Sequence, residues 1–125
     1  MDIRIENAAA MRHGQTRVFE FPTRYGPQQG FVIRFGGGFY AYLNQCQHWP
    51  IPLDIGDADF FHEAIDRIRC KTHGAIYHPE TGYCEAGPCA RSQLDAFPLV
   101  RAGNDVIVTV PDAPAQSGGN TASVA

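Results

Sequence analysis

The sequence predicts an all-β fold. Two observations carry this. Short runs of alternating or continuous apolar residues recur along the chain, and thirteen glycines and nine prolines separate them in 125 residues. A third is local: Phe31-Val32-Ile33-Arg34-Phe35, a Gly36-Gly37-Gly38 turn, and Phe39 to Leu43 read together as a β-hairpin.

Residues 1–15 read as a polar lead-in with no clear period. Thr16 to Phe21 alternates and is the first strand expected. Pro22 to Gly30, with Pro22, Gly26, Pro27 and Gly30, reads as a loop before the hairpin. Phe60 to Arg69 is open between two short strands turning near Ala64 and a short helix capped by Asp59. Strands are favoured because Arg67-Ile68-Arg69 leads straight into Cys70. Ala75 to His78 is a further strand, Pro79-Glu80-Thr81-Gly82 a turn, and Tyr83-Cys84 an antiparallel return. Leu94 to Val100 is extended around Pro98. A turn through Gly103-Asn104 then leads to a last strand, Val106 to Val110. Residues 16–110 thus form one domain. The tail, 111–125, has too little apolar surface to offset the entropy of ordering and is expected to be disordered.

Charge and composition exclude some functions. Ten basic against thirteen acidic residues argue against a nucleic-acid surface. No apolar run is long enough to span a membrane. The charged start, Met1 to Glu6, lacks the apolar stretch of a signal peptide, so a cytoplasmic location is expected. In that compartment the four cysteines read as metal ligands or thiols rather than as a disulfide framework.

Two stretches carry the chemistry. Cys46-Gln47-His48 and Cys70-Lys71-Thr72-His73 each offer one thiolate and one imidazole at the spacing of a tight ligand loop. Two thiolates and two imidazoles suit zinc or an iron–sulfur cluster. The hairpin that ends at Leu43 feeds the first of them, which is how a small fold fixes ligand geometry.

The residues that follow discriminate. From Cys70 the chain reads C-K-T-H-G-A-I-Y-H-P-E-T-G-Y-C-E-A-G-P-C. Cys-x-x-His-Gly, a downstream Thr-Gly turn and a Gly-Pro together resemble the Rieske family over roughly Val18 to Val110. The resemblance implies a Rieske-like antiparallel β-sandwich with a small cluster-binding subdomain holding a 2Fe-2S cluster. Cys46 and Cys70 would bind one iron, and His48 and His73 the other. Two thiolates neutralise the oxidised core and neutral imidazoles add no charge. The reduction potential is therefore raised, to roughly −150 to +300 mV against about −400 mV for plant-type ferredoxins.

Two departures separate the chain from the respiratory members. Ile51 and Thr72 occupy the positions of their bracing disulfide. Ala75 occupies the position of a serine that donates a hydrogen bond to the cluster, while Tyr77 matches the tyrosine two residues later. Losing a donor leaves added negative charge less stabilised. This resembles the ferredoxins that carry single electrons from a reductase to an oxygenase or other terminal enzyme. A module of a larger redox enzyme, of the nitrite-reductase type, and a zinc-bound structural module are the alternatives. No set of residues for substrate turnover is read in the chain: after His48 and His73, only His13, His62 and His78 remain, in no i, i+4 or i, i+5 pair. His13 and His62 read as exposed, and His78 as a satisfied surface or edge residue. Cys84 reads as a buried small residue, Trp49 as packing beside His48, and Asp54, Asp57, Asp59, Glu63 and Asp66 as a solvated loop or a docking patch.

Overall fold

The computed structural model describes residues 1–45, 53, 60–71, 74–87 and 92–111. Eleven strands and one 3-10 turn lie within them: β1 (Asp2–Ile5), the turn Ala8–Ala10, β2 (Thr16–Thr23), β3 (Gly26–Phe35), β4 (Gly38–Leu43), β5 (Phe61–His62), β6 (Arg67–Arg69), β7 (Ile76–Tyr77), β8 (Cys84–Ala86), β9 (Ala96–Phe97), β10 (Leu99–Ala102) and β11 (Asp105–Thr109). They form three antiparallel sheets, ordered β1-β11-β10, β2-β3-β4-β9 and β5-β6-β7-β8. The all-β class expected from the sequence is the one observed.

The middle sheet organises the other two. Side chains alternate across a strand, and β3 uses both faces. Phe31 and Ile33 enter one core with Tyr42, Leu53, Phe60, Ile68, Cys70 and Tyr77. Val32 enters the opposite core with Ile5, Phe19, Phe21, Ala41, Val106 and Val108. The first core joins the middle sheet to β5–β8, and the second joins it to the terminal sheet. Phe31 stacks on Phe60, with ring centroids 4.2 Å apart and planes 11° from parallel.

Three local findings refine the sequence reading. First, 22–30 is not a loop: β2 runs to Thr23, β3 starts at Gly26, and only Arg24-Tyr25 turn. In a two-residue hairpin the closing pair, Thr23↔Gly26, is hydrogen-bonded, so Pro22↔Pro27 falls at a non-bonded pair where neither nitrogen faces the partner. The ladder between β3 and β4 ends at Gly30↔Leu43, so Pro27 lies where β3 has no β4 neighbour. Gly30 is required there because the Phe19 ring lies over it; a Cβ would sit 2.4 Å from Phe19 Cζ.

Second, 60–69 is two strands and a turn, as favoured, with Phe61↔Ile68 and His62↔Arg67 paired and Asp66 at φ 59°. Third, the opening residues are structured where no period is visible. β1 pairs with β11 from Asp2↔Thr109 to Ile5↔Val106, and Ala8 and Met11 are buried beneath it. The expectation for the tail lies, from residue 112, outside the described residues. Among the described residues no helix is long and apolar enough to cross a membrane.

Candidate metal centre

The two ligand boxes leave different sheets, the first from β4 of the middle sheet and the second from β6 of the β5–β8 sheet. β4 ends at Leu43, whose N–H donates to Asp95 O, and the Asn44 N–H donates to Gln29 O. Cys46 follows two residues later. β6 ends at Arg69 and delivers Cys70. Of the four ligands expected from the sequence, Cys70 is described; Cys46, His48 and His73 lie outside the described residues, as do Trp49, Cys89, Asp54, Asp57 and Asp59.

The second box is pinned at both ends. The Cys70 N–H donates to Ala75 O at 2.9 Å, and the Gly74 N–H donates to Cys70 O at 2.8 Å. The two ends of the segment 70–75, whose sequence contains His73, are therefore tied to each other. Closing it needs a left-handed residue at its end, and Gly74 supplies φ 76°. Cys70 is 0 % exposed, as are Ala75 and Tyr77. A thiolate buried this completely is tolerable when a cation compensates its charge.

Gly87, which precedes Pro88 in the sequence, lies against the residue that ends this segment. Gly87 packs directly on Ala75: a Cβ there would lie 2.7 Å from Ala75 Cα. Pro88 onwards lies outside the described residues until Ser92.

Two clasps hold the β5–β8 sheet on the middle sheet. At one, the Tyr42 hydroxyl donates to Pro79 O at 2.7 Å, and its ring lies so close to Gly82 that a Cβ there would be 2.9 Å from Tyr42 Cε1. The Pro79–Gly82 turn read in the sequence is closed by the Gly82 N–H donating to His78 O. Burial, first, and then the neighbouring Tyr40 and Glu80 push the Tyr42 phenol well above its ordinary pKa.

At the other clasp stands His13, which the sequence suggests is a plain surface residue. Its Nδ1 accepts from the Gly36 N–H at 2.9 Å, so Nε2 carries the proton and donates to Asp66 Oδ1 at 2.6 Å. Its ring packs on Phe35 and edge-on to Phe61. Next to it, Gly14 lies under Phe61, with a Cβ position 2.6 Å from Phe61 Cδ2. Asp66 is thus bonded within the chain while its side chain stays 49 % exposed. His78 Nδ1 accepts from the Glu80 N–H, matching its expected satisfied role, and His62 is half-buried on β5. Cys84 is buried, and its Sγ donates to Ala86 O at 3.3 Å.

Sequence reasoning passed over Asn44, Leu53 and Gly14, whose partners are distant in the chain; His13 is exposed as expected, and only its bonds to Gly36 and Asp66 were unforeseen. A polar residue at the end of a strand two places before a ligand is the one signal that points to Asn44.

The model of the Rieske [2Fe-2S] domain matches residues 4–109, and the chain belongs to that family. Its cofactor is accordingly a 2Fe-2S cluster, and the buried Cys70 fits such a group. Two solved structures are similar. The ferredoxin of carbazole 1,9a-dioxygenase from Nocardioides aromaticivorans IC177 matches with TM-score 0.64 at 26 % identity, over 90 % of this chain and 97 % of that one. A chain in the complex of reduced oxygenase and oxidized ferredoxin in carbazole 1,9a-dioxygenase matches with TM-score 0.64 at 28 % identity, over 86 % of this chain and 91 % of that one. In a further oxygenase–ferredoxin complex of that system, a chain 18 % identical shares the fold over 91 % of this chain and 30 % of its own, with TM-score 0.65. A search of curated proteins finds no match.

Proposed function

We propose that this chain is a Rieske-type ferredoxin that receives single electrons from a reductase and passes them to an oxygenase or other terminal enzyme. One observation carries the reading: it matches the ferredoxin of a carbazole dioxygenase over 97 % of that chain. The 2Fe-2S group supplies the one-electron couple. Cys46, His48, Cys70 and His73 are the residues that would hold it, in the order of the family's two boxes.

The chain's own residues do the rest. The tied ends of the segment 70–75 fix where the second pair of ligands starts and ends. The buried surroundings of Cys70, with Tyr77 beside it in the same core, keep water from the thiolate side. The two clasps keep the ligand-bearing sheet rigid on its base, and a rigid donor reorganises little between its two oxidation states. A cytoplasmic location is part of the proposal, supported by cysteines that must stay reduced to ligate iron.

The test is spectroscopic. The purified chain should be red-brown, contain iron and acid-labile sulfide, and show the low-average-g EPR signal of a histidine-ligated cluster when reduced. A colourless, zinc-loaded protein after anaerobic reconstitution would overturn the reading. His73→Cys tests the ligand set: a cluster that survives with a thiolate in place of a neutral imidazole gains negative charge, so its potential should fall. An unchanged potential would remove His73 from the set.

A further inference from the structure

We infer that Asn44 is a positioning residue that closes the first ligand box at its base and couples it to the second. The inference rests on the ligand assignment proposed above. Asn44 is 7 % exposed, a buried polar side chain at the end of β4, two residues before Cys46. Its Oδ1 accepts from the Leu53 N–H at 2.7 Å, and its Nδ2 donates to Gln29 Oε1 at 2.9 Å. Its own N–H donates to Gln29 O, also at 2.9 Å. The two ends of the segment 44–53, which contains Cys46 and His48, are thereby joined to each other and to β3.

The chain of bonds continues. Leu53, itself fully buried, accepts from the Lys71 N–H at 2.8 Å through its carbonyl. Lys71 follows Cys70 directly. A path of hydrogen bonds thus runs from Gln29 on the base sheet, through the Asn44 amide and the Leu53 peptide, to the second box. It joins the two ligand segments in a chain whose Ile51 and Thr72 cannot form a disulfide. An amide is the side chain that fits: it must accept from a buried backbone N–H and donate to Gln29 at once. Leucine would fill the same volume and orphan the Leu53 N–H.

The experiment compares wild type, Asn44→Leu and Asn44→Asp as full chains carrying the cluster. Amide hydrogen exchange is read at Leu53, Lys71, Val106 and Val108, and iron release to a chelator is timed. In Asn44→Leu, exchange at Leu53 and Lys71 should rise about 5- to 150-fold, the factor for one orphaned buried amide. Val106 and Val108, in the other core, should keep wild-type exchange, and iron should be released faster by a similar factor. Asn44→Asp keeps the acceptor for the Leu53 N–H, and the Gln29 amide turns to donate its Nε2 to the other carboxylate oxygen, so both readouts should return toward wild type. Wild-type exchange at Leu53 and Lys71 in Asn44→Leu, or a rise equal at all four amides, would overturn the inference.

Should Asn44→Leu fail to fold, Asn44→Ala, which removes the acceptor without adding bulk or charge, is read in its place. Raised exchange confined to Leu53 and Lys71 with faster iron release supports the brace, and wild-type exchange at both amides in a folded chain refutes it. A wild-type chain that takes up no iron would sink the ligand assignment, while the exchange pattern would still decide the brace.

Discussion

Replacing Gly87 by alanine should destabilise the chain more than replacing Gly26, although both hold nearly the same backbone angle. Gly87 has φ 100° and Gly26 has φ 104°. Each alanine therefore incurs a similar backbone strain, about 1–3 kcal/mol. The surroundings differ. Nothing lies within 4 Å of a Cβ at Gly26, whereas one at Gly87 meets Ala75 Cα at 2.7 Å and both Ala75 Cβ and N at 3.3 Å. The obstacle is backbone, so it cannot rotate away. Ala75 is also tied through its carbonyl to the Cys70 N–H, so retreat would strain the second ligand box. Overpacking of this kind costs about 1–3 kcal/mol beyond the shared strain. At about 4 °C per kcal/mol for a chain of this size, Gly87→Ala should melt about 4–12 °C below Gly26→Ala. Thermal unfolding by far-ultraviolet circular dichroism, with urea midpoints as a check, reads the difference. A Gly87→Ala protein as stable as Gly26→Ala would refute the close approach of Gly87 to Ala75.

Further outcomes follow from the clasps and the terminal sheet. Tyr42→Phe leaves Pro79 O without its buried donor and should cost about 1–3 kcal/mol by urea denaturation. Tyr40→Phe, whose hydroxyl reaches Glu80 only at 3.4 Å on the surface, should cost under about 0.5 kcal/mol. Because the folded Tyr42 phenol titrates above the unfolded one, its contribution is full below about pH 10 and falls as pH rises beyond that. The wild-type advantage over Tyr42→Phe should therefore shrink in alkali. The Asp105 carboxyl has the opposite sign. The Asn7 backbone N–H, and then Arg4, hold it below the ordinary carboxylate range, so its stabilisation is present above about pH 4 and is lost as pH falls through the folded value. Asp105→Asn should flatten the fall in urea midpoint between about pH 6 and about pH 3, and an unchanged acid slope would exclude that role.

What the sequence made legible was local. The Phe31–Leu43 hairpin, the Pro79–Gly82 turn and the strand pair at 60–69 announce themselves because alternation and turn residues lie side by side. The two Cys/His boxes were legible as candidate ligand segments for the same reason, since each sets a thiol and an imidazole within three or four residues; of those four side chains only Cys70 is among the described residues. β1 was hidden because its partner, β11, lies about a hundred residues away, and among its four residues only Ile5 is buried. Pro22 and Pro27 read as loop residues because tolerance of proline depends on which side of the strand lacks a neighbour, and that is a fact of sheet order. His13 looked like any surface histidine. Its ring is fixed by Gly36 and Asp66, two turns that only the fold brings together.

The double duty of β3 has a consequence for how such a protein can change over evolutionary time. Successive side chains of one ribbon serve as ceiling for one interior and floor for the other. A single-residue slip would exchange Phe31 and Ile33 for Val32 and spoil both chambers at once, so the register is doubly guarded. Within that guard, the interior around Phe60 and Ile68 can be repacked without reaching Val106 and Val108 on the other side of the partition.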